Sequence, residues 1–235
     1  MKKIVMIAAT AALMISVFML TGCGVKADMT YDNADKYTAG DVEIADTIHE
    51  IDVDYIAGDI DIISGSSDKI TVHETAEKDL DEDHMVHTWV DGKKLYIKYC
   101  ASDNDLDFTG MEKHLTITVP DGTDLSEFKL DAAAGNITVK DIKTEELNID
   151  AAAGDIALTL KDLPKETDID AAAGNIKIQM PEAAGVTLKF DNAVGDFDCN
   201  IPYVKNEDND EYVFGDGSHQ ISIDMAAGDL EIRKL

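Results

Sequence analysis

KLDAAAGNITV (Lys129–Val139), NIDAAAGDIAL (Asn148–Leu158) and DIDAAAGNIKI (Asp168–Ile178) are three versions of one unit, and they decide the fold. Looser versions stand on either side: DVDYIAGDIDI (Asp52–Ile62), KFDNAVGDFDC (Lys189–Cys199) and SIDMAAGDLEI (Ser222–Ile232). Gly135, Gly154, Gly174 and Gly195 follow one another at spacings of 19, 20 and 21 residues, while Gly58 and Gly228 lie further out. A period of that length marks a stacked-repeat architecture.

Aligned on the glycine, the units show three apolar columns. Five residues before it stand Val53, Leu130, Ile149, Ile169, Phe190 and Ile223; two after it stand Ile60, Ile137, Ile156, Ile176, Phe197 and Leu230. Four after it come Ile62, Val139, Leu158, Ile178, Cys199 and Ile232. On each side the period is two, which is the signal of a half-buried strand. The inward positions are odd offsets before the glycine and even offsets after it, so a straight strand would turn its second half outward. The backbone must turn or bulge there, at a residue free to adopt positive φ. Small residues just before it, Ala134, Ala153, Ala173 and Ala227, suit a corner where neighbouring coils stack closely. No unit can bury its own face, so consecutive units must stack to form a continuous core. The predicted fold is all-β and β-solenoid-like: short strands, glycine corners and an irregular N-terminal part.

That irregular part lies between Ile63 and Pro120. ITVHE, MVHTWV and KLYIKY alternate, Asp91-Gly92 reads as a hairpin turn, and HLTITVP is a further strand. These strands are expected to pair with or cap the array, whose end strands would otherwise invite edge-to-edge association.

Two polar ladders accompany the apolar columns. Asp54, Asp131, Asp150, Asp170, Asp191 and Asp224 precede each glycine by four residues, and Asp59, Asn136, Asp155, Asn175, Asp196 and Asp229 follow it directly. Oxygen ligands at strand spacing could hold calcium between coils. Against this, parity points both ladders away from the core, where carboxylates need no ion, and the Gly-Gly-x-Gly-x-Asp repeat of calcium-rich β-rolls is missing. The reading adopted is a solvated face, with no metal site and no cofactor. His84 and His87 would fall on opposite faces of a strand and make a poor metal pair. Cys199 lies in an inward column and Cys100 is out of phase with Leu95 and Ile97; a buried free thiol at Cys199 and a Cys100–Cys199 bridge both stand open.

The chain has 48 acidic and 20 basic residues, a formal net charge of −28, and Arg233 as its single arginine. Repulsion makes nucleic acid and anionic headgroups poor partners. Apolar residues still make up 45% of the chain and fall in ordered patterns, so a packed core is within reach.

Lys2 and Lys3 precede an apolar run from Ile4 to Leu20, the pattern of a secretory signal. Leu20-Thr21-Gly22-Cys23 resembles the lipobox of bacterial lipoproteins. That resemblance implies a signal peptide over residues 1–22, cleavage before Cys23, a diacylglyceryl group on its thiol, and an extracytoplasmic position at the cell membrane. Residues 23–40 read as lipidated cysteine and polar tether, and 41–235 as one domain.

The repeated Asp-x-x-Ala-Gly-Asx with its alternating apolar flanks, together with HLTITVP, resembles a bacterial family of exported proteins of unknown function labelled "putative adhesin". The resemblance spans Val42 to Leu235 and implies a β-solenoid-like fold at the cell surface, with no catalytic residues to carry over. No Gly-x-Ser-x-Gly elbow, phosphate-binding loop or Cys-His nucleophile pair is present. The expected function is a non-catalytic, lipid-anchored binding or scaffold module facing an envelope component or protein. The alternatives are an envelope enzyme acting on polysaccharide, which needs a cleft with two close carboxylates and aromatic platforms, and an accessory or sensor protein of an envelope-stress system.

Overall fold

Each glycine unit folds as two strands joined at the glycine, and the units stack into two facing sheets. The computed structural model describes residues 29–103, 106, 111–207 and 209–235. In the N-terminal part the strands are β1 (Thr38–Ala39), β2 (Val42–Ile44), β3 (Glu50–Ala57), β4 (Asp59–Gly65), β5 (Ile70–Ala76), β6 (His87–Asp91), β7 (Lys94–Lys98) and β8 (Lys113–Pro120). The repeats follow as β9 (Asp124–Ala134), β10 (Ile137–Lys140), β11 (Lys143–Ala153), β12 (Ile156–Thr159), β13 (Glu166–Ala173) and β14 (Ile176–Met180). The C-terminal part adds β15 (Val186–Val194), β16 (Phe197–Cys199), β17 (Val204–Asn206), β18 (Glu211–Phe214), β19 (His219–Ala227) and β20 (Leu230–Lys234).

The larger sheet has eleven strands in the order β1-β6-β7-β3-β9-β11-β13-β19-β15-β18-β17, and the smaller has nine in the order β16-β20-β14-β12-β10-β4-β8-β5-β2. Repeat strands pair in parallel and in register, so that Val53, Leu130, Ile149, Ile169, Ile223 and Phe190 form one column. All but Phe190 are buried, and the columns after the glycine are buried too except at Phe197 and Cys199. The predicted fold class is therefore what the chain adopts, with the core between the two sheets.

The corner is built as the phase change demands. Gly154 has φ 130°, and a Cβ there would overlap the carbonyl group of Gly135, lying 2.6 Å from its carbon. The same glycine-on-glycine approach recurs at Gly135, Gly174, Gly228 and Gly195, whereas Gly58 meets the carbonyl of Lys113. Backbone pairing nonetheless continues around the bend: Gly154 N donates to Ala173 O at 3.1 Å and Ile156 N to Asn175 O at 2.8 Å.

The stacking order departs from chain order once. The last unit inserts between its predecessors, so that β19 pairs with both β13 and β15. After β16 the chain makes an antiparallel hairpin, β17 and β18, on the outer edge of β15, and then returns through the inner slot. Side chains explain the choice: the inward position three before the glycine is Met225 in the inserted unit, fully buried, but Asn192 in the outer one. An amide there suits the end of a core, where Asn192 Nδ2 donates to Gly228 O at 2.9 Å.

Both ends are covered. The expected N-terminal cap is present: β5 runs antiparallel to β8 and β2, and β6 to β7 through a turn at Gly92. The β17–β18 hairpin is a second cap. Residues 29–40 are not a free tether, because β1 pairs with β6, Met29 N donates to Asp103 O at 3.1 Å, and Met29 packs on the core. Tyr31 and Tyr37 hold this segment against Trp89 and Tyr96 by successive ring contacts.

Candidate functional site

The outer face of the larger sheet is the most regular surface of the molecule, and strand register writes it. Asp54, Asp131, Asp150, Asp170, Asp224 and Asp191 stand side by side in one row across six strands. Neighbouring strands lie about 4.8 Å apart, so each carboxylate faces the next at close range. Lysines interleave at the margins: Lys98 pairs with Asp54 at 3.2 Å and Lys129 with Asp131 at 2.6 Å. In the middle of the row, partial burial first, then a hydrogen bond to Asp131 and the charges of Asp131 and Asp170, pull the Asp150 carboxyl up to about 6. This stretch therefore retains a proton well above the ordinary carboxylate range.

A row is not a cage. Calcium needs six to eight oxygens around a point, and among the described residues no three of His, Cys, Asp and Glu converge closely enough to hold a metal ion. Outward parity holds for both ladders, but the ladder after the glycine is more than a solvated face. Asn136 N donates to Asp59 Oδ1 at 2.9 Å, Asp155 N to Asn136 Oδ1 at 3.1 Å, Asn175 N to Asp155 Oδ1 at 2.7 Å, and Asp229 N to Asn175 Oδ1 at 3.1 Å. Asp196 N then donates to Asp229 Oδ1 at 2.8 Å, which closes the series in spatial rather than chain order. Each side-chain oxygen thus caps the first amide after the next coil's glycine. The function of this column is structural.

At the N-terminal end a buried polar cluster occupies the corner. Register places Lys113 opposite Gly58, so a lysine stands where the other coils have glycine, and its carbonyl receives the Gly58 Cα. Its ammonium is fully buried, 2.8 Å from Glu74 Oε1, and also donates to Tyr99 O and His84 O at 2.6 and 2.7 Å. Glu74 further accepts from Tyr55 Oη at 2.8 Å and Val86 N at 2.9 Å. Burial lowers Lys113 despite Glu74. The Lys113 ammonium has three acceptors and both Glu74 oxygens are used, which marks the pair as a structural plug. Sequence reading missed it; the sign was a lysine opening the apolar strand KHLTITVP.

Among the described residues, both cysteines, Cys100 and Cys199, are free. Cys100 follows β7 at the capped N-terminal end, whereas Cys199 lies in β16 at the far edge of the smaller sheet, so the bridge is ruled out by the stack between them. Cys100 is fully buried despite its strand phase, because the chain leaves β7 before it; burial pushes its thiol up to about 12. His87 is buried with Nδ1 2.9 Å from Met85 O, and His84 contacts Asp81, so the two histidines share no site. Among the described residues, aromatic contacts form two larger groups, Tyr31, Tyr37, Trp89 and Tyr96 at one end and Phe190, Phe197, Tyr203, Tyr212 and Phe214 at the other, and one buried pair, Tyr55 and Tyr99. The first group lies on the same outer face as the aspartate row, at its Asp54 end: Tyr96 is in register with Asp52, Asp52 and Asp54 act on Tyr37, and Lys98 pairs with Asp54 at 3.2 Å beside the Tyr31 ring. Cys23 and the apolar run before it lie outside the described residues. Among those that are described, no helix is long and apolar enough to cross a membrane.

The sequence pattern of the Toastrack DUF4097 family matches residues 48–165 and 102–233, twice over overlapping stretches, as an internally repeated chain would. No curated protein matches the chain. Among solved structures it is similar to a putative cell adhesion protein from Clostridium sporogenes, at 19% identity and a TM-score of 0.63, over 85% of this chain and 99% of that one. A putative adhesin from Bacteroides fragilis matches at 13% identity and a TM-score of 0.34, over 83% and 97% of the two chains.

Proposed function

We propose that this chain, which belongs to the Toastrack DUF4097 family, is a non-catalytic binding or scaffold module, held at the extracytoplasmic face of the cell membrane by a lipid on Cys23. The observation that carries this reading is the ladder architecture itself: polar side chains that an enzyme would converge on one point are here spread in register along rows, one per strand. Such a surface suits an extended partner. The name of the Clostridium sporogenes protein points the same way. The polysaccharide-acting alternative would draw on Asp131 and Asp150, but general acid and base chemistry on a sugar needs two carboxylates flanking a bound ring, and these lie side by side in one row of the outer face.

Two measurements test the two halves of the proposal separately. Metabolic fatty-acid labelling of the native protein should be lost in Cys23→Ala, together with membrane retention; labelling that persists removes the anchor. Cross-linked envelope partners recovered with the wild-type chain should be lost in Asp131→Lys/Asp170→Lys at an unchanged melting temperature. Hydrolysis of envelope polysaccharide that stops in Asp150→Ala would instead establish the enzyme.

A further inference from the structure

The corners opposite the glycines also stack, and their order breaks at one place. In the regular coils a strand of the smaller sheet turns directly into the next strand of the larger one, as β10 does through Asp141 and Ile142 into β11. β4 does not: it leaves at Gly65 toward β5, and its corner is supplied by Pro120–Thr123, arriving from β8 on its far side and crossing the end of β4 to enter β9. Asp121 N donates to Gly65 O at 2.7 Å and Ser64 Oγ to Asp121 Oδ1 at 2.6 Å, which fixes the crossing. Between this crossing and the next corner lies a groove of about 540 Å³, within the range of roughly 300–1,000 Å³ typical of small-ligand sites.

Its lining has two unusual features. Asp141 holds φ at 57°, a left-handed conformation for a residue with a side chain, and such strain gathers where function demands it. One oxygen of Asp141 pairs with Lys161 at 2.5 Å, but Oδ1 is buried with no hydrogen-bond partner among the described residues. An unsatisfied buried carboxylate oxygen is rare and calls for an explanation. The second feature is charge. In a chain of net charge −28 the groove is neutral, with Lys140, Lys143 and Lys161 against Asp121, Asp141 and Asp162. Lys161 senses all three aspartates, and the open side at Gly122 has no atom within 4 Å of where a side chain would begin.

We infer that this groove binds a neutral polyhydroxylated ligand, a short stretch of uncharged glycan. Lysines only donate and aspartates only accept, whereas a sugar hydroxyl does both and can bridge neighbouring members of such an alternating set. The lysines repel a metal ion or a cationic peptide, the aspartates repel a phosphate or uronate, and the lining offers no aromatic ring to an apolar ligand. The site is distinct from the outer face described above and does not depend on it. Glycan binding would give the surface module a second, chemically different contact with its surroundings.

The full-length protein in detergent should be titrated calorimetrically with uncharged hexasaccharides of α-1,4-glucose, β-1,4-glucose, mannose and N-acetylglucosamine, with polygalacturonate as the anionic comparison. At least one uncharged oligosaccharide is expected to bind saturably, with tenfold or greater weakening in both Lys140→Ala and Asp162→Ala at an unchanged melting temperature, and polygalacturonate to give no binding. Three outcomes overturn the inference: no uncharged oligosaccharide binds, binding survives both substitutions within twofold, or polygalacturonate binds more tightly than any neutral chain.

Discussion

Oδ1 of Asp155 accepts two hydrogen bonds from Asn175 in the next coil, one from the backbone N–H at 2.7 Å and one from the side-chain amide at 3.1 Å. Asn136 does the same to Asp59, at 2.9 and 3.1 Å. Asparagine at alternate rungs therefore does two things: it supplies a second donor to the aspartate on one side and a neutral acceptor to the coil on the other.

Replacing Asn175 by Asp keeps the acceptor for Asp229 N but removes the amide donor and sets a third carboxylate between Asp155 and Asp229. A lost hydrogen bond of about 0.5–1.5 kcal/mol and repulsion of roughly 1 kcal/mol in water for each of the two close pairs should together lower stability by about 2–4 kcal/mol at pH 7. Salt should restore the repulsive part, since at about 1 M the Debye length falls to about 3 Å. Urea denaturation with and without sodium chloride measures both parts. A variant as stable as wild type in low salt would show the rung chemistry to be indifferent.

The glycine corners carry a steric demand beyond conformational strain, and two alanine substitutions separate these. Gly92→Ala places a side chain at φ 63° with open space around it, so only left-handed strain of about 1–2 kcal/mol is expected. Gly154→Ala adds overlap with the backbone of Gly135, which cannot move without displacing the whole stack. The expected loss exceeds about 3 kcal/mol, among the large values for single substitutions. Equal shifts in chemical denaturation midpoint would mean that the close approach relaxes freely.

The sequence was most legible where the repeat is strictest. The phase change about Gly135, Gly154 and Gly174 yields the inward columns, the corner and the parallel stack, because a period of two admits one buried face and the flip admits one kind of bend. Less legible was anything depending on which coil lies beside which. Asn192 in an inward column was the trace of the end position, but a pattern that aligns units by sequence has no means of seeing that the Gly228 unit threads back inside the Gly195 unit. The same holds for the groove beside Asp141, whose residues belong to four chain segments brought together by the crossing of Pro120–Thr123 over β4. The Asx ladder was visible as a column, yet its hydrogen bonds run between coils and follow spatial order. Residues 29–40 read as tether because their anchors, Tyr31, Tyr37 and Met29, are spaced without strand or helical period.

The plug at Lys113 should respond to charge removal in a way that separates pairing from packing. Lys113→Met leaves the Glu74 carboxylate buried beside Tyr55 and Val86 N without its cation, and breaking such a pair costs about 3–5 kcal/mol. The double variant Lys113→Met/Glu74→Gln removes both charges and should recover more than half of that loss. Thermal unfolding of the three proteins at pH 7 provides the comparison. A double variant no more stable than the single one would mean that the ammonium's bonds to the Tyr99 and His84 carbonyls, rather than the ion pair, hold the cap.

The row on the outer face makes stability depend on pH in an unusual sense for an acid. Asp150 is raised to about 6 in the folded chain, against about 3.9 for an unfolded aspartate, so between these values the folded state binds more protons than the unfolded one. Its contribution is then fully present below about pH 4 and is lost as pH rises through 6. At pH 7.5 the row carries its full repulsion, and Asp150→Asn, which relieves it, should raise the melting temperature by about 1–3 °C, the range given by a surface charge contribution of up to about 1 kcal/mol in a domain of this size. At pH 4 the aspartate is already protonated and the gain should nearly vanish. Scanning calorimetry of both proteins across this range reads the difference directly. A gain of the same size at pH 4 and pH 7.5 would show that the carboxyl at Asp150 does not titrate between them, and that the six aspartates ionise as independent, well-solvated groups.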